Sequence, residues 1–438
     1  MFTTLKNAWH IAELRKKICY TLLILILFRV GSAVPVPFLD STALQAMVTG
    51  SGNLLGYIDI LSGGAFSRAT VFALSITPYI TSSIVIQLLT VAIPALERLS
   101  KEGEDGRKKI NKITRYVTVA LALLQAFAYY TLLRNQSRAV LYRSGFAGIF
   151  SALVIIAAFT AGAMLVVYLG ERIDENGVGN GISLILFAGI VSRAPNAINT
   201  LWSYLKLAAE GETMYYFTVP LIVVLFLALI VVIIIMTNAE RRIPVQYAKQ
   251  VKGRKMYGGQ ATVIPIKISG SGVMPLIFAF AIISLPDLIM GLFFADSTAY
   301  ANYTEWFSGG QGNLGWLYIL ILCLLIFAFS FFYAQIQFNP EDVSKSIQQN
   351  GGFIPGIRPG RPTADYLKKI SNRITLFGAI FLSLVAFVPS LVFSIVGNSD
   401  LLSVFSTTGI LIVVSVALEF DKQLQSQLMM KNYKGFLK

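Results

Sequence analysis

Residues 69–94 read ATVFALSITPYITSSIVIQLLTVAIP. The run is long enough to cross about 30 Å of hydrocarbon as a helix. Yet it carries Ser75, Thr77, Thr81, Ser82, Ser83 and Gln87, and Pro78 lies inside it. A second run of the same character, SGSGVMPLIFAFAIISLP, occupies 269–286 and again mixes Ser and Gly with prolines. Interrupted, polar spans at corresponding positions of two halves point to a central pathway between inverted repeats. Two kinked helices packed closely through small residues would leave the same pattern.

The rest of the chain has the composition of a membrane protein. Of its 438 residues 55% are hydrophobic and only 13% charged, with a mean hydropathy of +0.68. Soluble domains carry about 25% charged residues. Apolar runs recur at 18–36, 70–93, 117–133, 146–169, 181–194, 215–236, 272–294, 314–338, 374–396 and 401–420. Without water to satisfy backbone groups, such runs must be helices, and a barrel would show shorter alternating segments. The sequence therefore predicts an all-α membrane protein of ten transmembrane helices, divided as 1–200 (spans one to five) and 201–438 (spans six to ten).

An even number of spans puts both termini on one side. That side then holds most of the basic residues, from Lys6, Arg15, Lys16 and Lys17 to Lys431, Lys434 and Lys438. The other side holds only Arg68, Arg134, Arg138, Arg143, Arg193 and Lys206. The asymmetry predicts cytoplasmic termini, and it accounts for much of the +14 net charge. Basic loops that dock acidic or nucleic-acid partners would add to it.

Several segments outside the spans stand out. Residues 56–69, GYIDILSGGAFSRA, are too short and too broken by Gly63 and Gly64 to cross. They read as an outer-surface turn or a re-entrant segment inside the protein. Three charged loops lie on the cytoplasmic side, at 97–115, 240–269 and 339–373. In the second, 262–268 alternates as a hairpin strand does. The last two, Gly- and Pro-rich and about 30 residues long, exceed what topology needs; loops of this kind are more often functional.

Catalytic and metal signatures are missing. Cys19 and Cys323 sit in apolar runs, His10 stands alone, and there is no H-E-x-x-H, C-x-x-C or G-x-x-x-x-G-K-[ST]. Gly177, Gly179 and Gly181 lack the spacing and the preceding strand of a dinucleotide loop, and read as a tight turn into the fifth span. Few ionisable residues lie within spans, Arg29 chief among them. A secondary solute transporter with inverted repeats, the rival reading, typically places carboxylates or paired charges at mid-membrane.

The motifs resemble those of the SecY family. They are FRVGSAVPVP (28–37), LSGGAFSRATVFALSITPYITSSIVIQLLT (61–90), KEGEDGRKKINKITRY (101–116), YLGERIDENGVGNGISLILFAGIV (168–191), AERRIPVQYAK (239–249) and NPEDVSKSIQQNGGFIPGIRPG (339–360). They occur in order from about residue 11 to about residue 420. The resemblance implies two pseudo-symmetric five-helix halves around a central pore, in a channel subunit that conducts unfolded polypeptides across the bacterial inner membrane. It needs no cofactor. It implies a pore ring of Ile76, Ile80, Ile182, Leu186, Ile277 and Ile412, with Leu186 where isoleucine is typical. It implies a plug at 56–69, including Tyr57, Ile58, Ile60, Leu61, Gly63, Gly64 and Phe66. The second and seventh spans correspond to the sides of a lateral gate carrying Thr81, Gln87, Gln125, Ser269 and Leu285; many members have asparagine in place of Ser269. Arg241, Arg242, Lys249, Arg254, Lys255 and Arg358 correspond to the docking site for the SecA motor and the ribosome. SecE and SecG small subunits and signal-bearing precursors are the other implied partners.

Overall fold

The computed structural model describes residues 2–42, 44, 59, 62–136, 140–142, 144–210, 214–247, 250–252, 255–257, 261–268, 272, 274–293, 297–298, 302–303, 315–396 and 407–435. Helices dominate. The first five are α1 (Phe2–His10), α2 (Ala12–Gly31), α3 (Thr77–Ala92), α4 (Pro94–Lys101) and α5 (Glu104–Gln136). Next come α6 (Gly145–Asn176), α7 (Gly181–Val191), α8 (Ala194–Ala209) and α9 (Tyr215–Asn238). Strands β1 (Glu240–Tyr247), β2 (Gln250–Lys252), β3 (Lys255–Tyr257) and β4 (Ala261–Lys267) follow. The chain closes with α10 (Met274–Phe293), α11 (Gly315–Gln337), α12 (Pro340–Gln349), β5 (Gly352–Phe353), α13 (Arg361–Val396) and α14 (Thr407–Gly435).

Among the described residues five helices are long and apolar enough to cross a membrane, or six if α3 and α4 count as one bent span. The other apolar runs share their helices with charged turns, as in α2, α5 and α14, or border residues outside the described set, as in α10. The chain groups into two compact units. One comprises Met1–Pro220, Ala281–Tyr318 and Phe393–Lys438, the other Leu221–Phe280 and Ile319–Val392.

The second apolar run is not helical from its start. Residues 70–76 form successive turns, with positive φ at Ala69 (53°) and Ser75 (49°), and α3 begins only at Thr77. Pro78 explains the late start: it lacks an N–H, and the first helical turn is where no donor is needed. At the other end Ile93 is extended, and Pro94 opens α4 at 101° to α3. The charged loop expected at 97–115 is largely helical. Glu104 and Asp105 sit in the first turn of α5, where carboxylates suit the helix dipole.

Two motifs meet at the entry to α3. Phe28 of α2 stacks on Phe72 with ring centroids 5.7 Å apart, and a Cβ on Gly31 would collide with that ring. The chain then pairs locally: Val36 N donates to Ala69 O at 2.8 Å and Val71 N donates to Val34 O at 3.0 Å. Beneath this, Phe66, Ala69, Ala73 and Leu74 pack with Ala122, Ala126 and Tyr129 of α5 and with Ile155, Phe159 and Ala163 of α6. Gly162 of α6 lets the chain cross here, because a Cβ would collide with the Val71 carbonyl. Gly162→Ala is therefore expected to cost about 1–3 kcal/mol, typical of overpacking a tight contact. It should lower the thermal midpoint in detergent; an unchanged midpoint would mean that the crossing is looser than described.

The turn from α6 to α7 satisfies its own polar groups. Asp174 Oδ1 accepts from Gly181 N at 2.7 Å, and Asn180 caps α7 by accepting from Ser183 N at 3.0 Å. Gly179 takes φ of 96°, which suits glycine. Val178 N donates to Thr21 Oγ1 of α2, and Val178 packs with Ala8, Leu14, Ile18 and Leu424.

In the second unit the alternating stretch does form a strand, β4, which ends at Lys267, one residue short of the expected 268. β4 pairs antiparallel with β1 in the register Ile243↔Ile264 and Val245↔Thr262, and β5 adds to the other edge of β1. Ile243, Val245 and Ile266 are buried with Ile347, Ile354 and Leu367.

Candidate functional site

Of the residues assigned to the plug, Tyr57, Ile58, Ile60 and Leu61 lie outside the described residues. The rest form a tight turn organised by Asp59. The Asp59 carbonyl accepts from Gly64 N at 2.8 Å and from Ser62 Oγ at 3.1 Å, and its Oδ1 accepts from Ser67 N at 2.8 Å. Gly63 (φ 67°) and Gly64 (φ 82°) take the left-handed conformations that this turn requires. Phe66 is buried against Tyr129, edge to face at 5.3 Å. Gly63 itself faces the last turn of α7, where a Cβ would stand 2.6 Å from Gly189 O.

The residues assigned to the ring are aliphatic side chains on several elements. Ile76 is fully buried at the N-cap of α3, and Ile80 is half-buried one turn on. Ile182 and Leu186 lie one turn apart on α7, the first half-buried and the second buried. Ile412 is buried on α14, which packs against α7 in the first unit. Ile277, half-buried on α10, belongs to the second unit.

The polar residues assigned to the gate are less uniform. Thr81 is buried and donates to Thr77 O at 3.1 Å within α3. Gln87 Nε2 approaches Ser83 Oγ at 3.4 Å. Gln125 is buried on α5, and its Oε1 has no partner among the described residues. Leu285 is half-buried on α10, and Ser269 falls outside the described set. The contact between α3 and α5 is instead made by a pair absent from the sequence assignment. Ser82 Oγ and Thr118 Oγ1 are 2.6 Å apart and both buried, and Thr118 donates on to Thr114 O.

On the second unit the described basic residues of the docking assignment lie on its strands or in the loop after β5. Arg241 and Arg242 are exposed on β1, and Arg242 Nε donates to Glu240 at 2.8 Å. Such an exposed pair contributes about 0–1 kcal/mol and gives way readily to a partner. Lys255 lies on β3, while Lys249 and Arg254 are outside the described residues. Arg358 is exposed on a loop pinned from both ends. Thr363 Oγ1 donates to the Arg358 carbonyl at 2.8 Å, and buried Ser344 donates to Gly360 O at 2.7 Å.

A family model described as SecY matches residues 70–420. The chain belongs to the SecY family. A protein translocase subunit SecY from Streptomyces coelicolor is 41% identical over 449 residues, with both chains covered in full. The Thermus thermophilus subunit is 40% identical over 434 residues, covering 98% of this chain and 96% of that one. Among solved structures, a protein-conducting channel aligns with a TM-score of 0.67 at 18% identity, over 94% of this chain and 92% of the other. Canine Sec61 in a ribosome–channel complex aligns with a TM-score of 0.64 at 17% identity and the same coverage.

The motif at 168–191 carries more than the residues assigned to the ring. Arg115 of α5 grips Glu171 of α6 with two hydrogen bonds of 2.7 Å. Neither residue was singled out from the sequence, because a charge pair 56 positions apart leaves no local pattern. Asp59, an acid in a glycine-broken segment, was not singled out either, and Arg193 was counted only among the bases of the outer side. Arg193 Nη2 stands 3.3 Å from Asp59 Oδ2.

Proposed function

We propose that this chain is the channel-forming subunit of a Sec translocase, moving unfolded polypeptides across the bacterial inner membrane and releasing apolar segments sideways into lipid. End-to-end similarity to protein translocase SecY subunits carries this reading. Ten transmembrane helices form two halves, 1–200 and 201–438, with both termini cytoplasmic. SecE and SecG are its small membrane partners, and SecA or the ribosome docks on the cytoplasmic loops. No P-loop occurs in the sequence, so an external motor fits the reading. Reconstitution with the purified motor and a secretory precursor tests it: precursor should enter the vesicles only when nucleotide is present. Uptake of a small solute with no precursor transport would favour the transporter instead.

Ile76, Ile80, Ile182, Leu186, Ile277 and Ile412 form the constriction, and residues 56–69 plug it from outside. Branched aliphatics with no polar atom let a narrow pore dewet and so block ions, while closing around any extended chain. Replacing Ile76, Ile182 and Ile412 together with Asn should raise resting conductance about tenfold or more, each single change doing less. Single-channel recordings at the wild-type leak would remove these residues from the constriction.

A further inference from the structure

We infer that Asp59 and Arg193 form a charge latch that holds the plug seated, with Arg193 as a positioning residue for channel closure. The inference rests on reading 56–69 as the plug.

The geometry gives Asp59 two separate tasks. Its Oδ1 accepts from Ser67 N at 2.8 Å and its carbonyl accepts from Gly64 N, so the residue shapes the turn from within. Its Oδ2 faces outward to Arg193 Nη2 at 3.3 Å. The Asp59 side chain is 3% exposed and that of Arg193 32%, so the pair is shielded on the plug side. A buried carboxylate deprived of its cation is strongly unfavourable, so the plug leaves this place only by giving Asp59 another partner or water.

Three neighbouring features belong to the same seat. Arg193 is the residue before α8, and Ser192, at the end of α7, donates to both Gly189 O (2.6 Å) and Gly63 O (3.4 Å). Gly63 lies so close to Gly189 that no side chain fits between them. Arg29 Nη1 is buried there with no hydrogen-bond partner among the described residues, 2.9 Å from where a Gly63 Cβ would stand. The seat thus presents Arg193 to the one acidic group on the plug, with Arg29 beside Gly63. Since α7 also carries Ile182 and Leu186, a change at that part of the ring reaches the latch through a single short helix. A latch of this kind makes the closed state selective: a polypeptide that parts the ring must also draw Asp59 from its cation.

The test uses the complete translocase in planar bilayers and in export assays. Asp59→Asn keeps an acceptor for Ser67 N but removes the charge and turns an amide donor towards Arg193. It should raise resting open probability about tenfold or more and admit a precursor with a weakened signal sequence. Arg193→Gln should do the same, Arg193→Lys should stay near wild type, and Lys206→Gln, at an exposed lysine further along α8, should change nothing. A purely steric role would not distinguish Lys from Gln at 193. Deletion of 57–66 serves as the reference. If the deletion leaks while Asp59→Asn and Arg193→Gln stay sealed, the latch is wrong and the plug stands. If the deletion itself does not leak, the plug reading falls first.

Discussion

Replacing Arg358 with Glu should reduce motor-driven export to background while leaving the protein inserted and folded. The expectation comes from how the loop is held. Ile354 is buried and Ile357 packs beside it among Ile243, Val245, Ile266, Ile347 and Leu367. Gly356 (φ 82°) and Gly360 (φ 95°) make the two tight turns on either side of Arg358. The guanidinium is therefore exposed on a rigid support, so little ordering entropy opposes binding when it meets an acidic group. Removing one partner of a buried, hydrogen-bonded charge pair at an interface costs about 2–5 kcal/mol, and reversal adds repulsion. A loss of about 2 kcal/mol is already about thirtyfold in affinity. The check is a translocation assay with purified motor beside a thermal unfolding curve. Wild-type export by the variant would move the docking site elsewhere; a lowered unfolding midpoint would mean that the loop, not the interface, had been damaged.

That loop also shows how far the sequence could be read. The glycines and prolines of FIPGIRPGRP marked a turn and the basic residues marked a surface, so the element was legible. Its anchorage was not, because Ser344 and Gly360 are 16 positions apart and meet only after α12 has folded back. The same division holds in the first unit. Apolar runs marked the chain as mostly helical, with five or six described helices apolar and long enough to cross a membrane, and alternation found the strand at 261–267. It missed that residues 70–76 are not helical, although Pro78 was in plain view, because the apolar run continues through the turns without a break in composition. It also took 97–115 for a loop, although its acids and bases are placed as α4 and α5 require. Charge alone does not separate a solvated loop from a solvated helix. Pore and gate residues came from family resemblance, since an isoleucine that faces a pore and one that faces lipid are the same letter at the same spacing. Asp59, Arg193, Ser82 and Thr118 needed coordinates.

Joining α3 to α10 by a disulfide should stop both secretion and membrane insertion, and reduction should restore them. Thr81→Cys and Leu285→Cys place one thiol on each assigned side of the gate, in a background without Cys19 and Cys323. The bond forms only if the two Cα atoms come within about 7 Å. Thr81 is buried and its hydroxyl donates to Thr77 O, so its loss removes no hydrogen bond between helices among the described residues. Behind it, Ser82 ties α3 to Thr118 of α5 through a buried hydroxyl pair. Each hydroxyl keeps a partner within its own helix, Ser82 to Tyr79 O and Thr118 to Thr114 O, so parting the pair loses one buried hydrogen bond, about 0.5–1.5 kcal/mol. α3 and α5 are therefore expected to move as one side, with the opening on the face of α3 turned from α5. Gln125, whose buried Oε1 lacks a described partner, offers an acceptor on that same side. A disulfide is too short to let two helices part around an apolar segment, whereas a flexible crosslinker of about 15 Å or more, several times the span of a disulfide, should preserve transport. A carrier of small solutes has no reason to show that dependence on linker length for polypeptide cargo. Normal export by the oxidised protein, with the crosslink confirmed on a gel, would place the gate elsewhere while leaving the family assignment untouched.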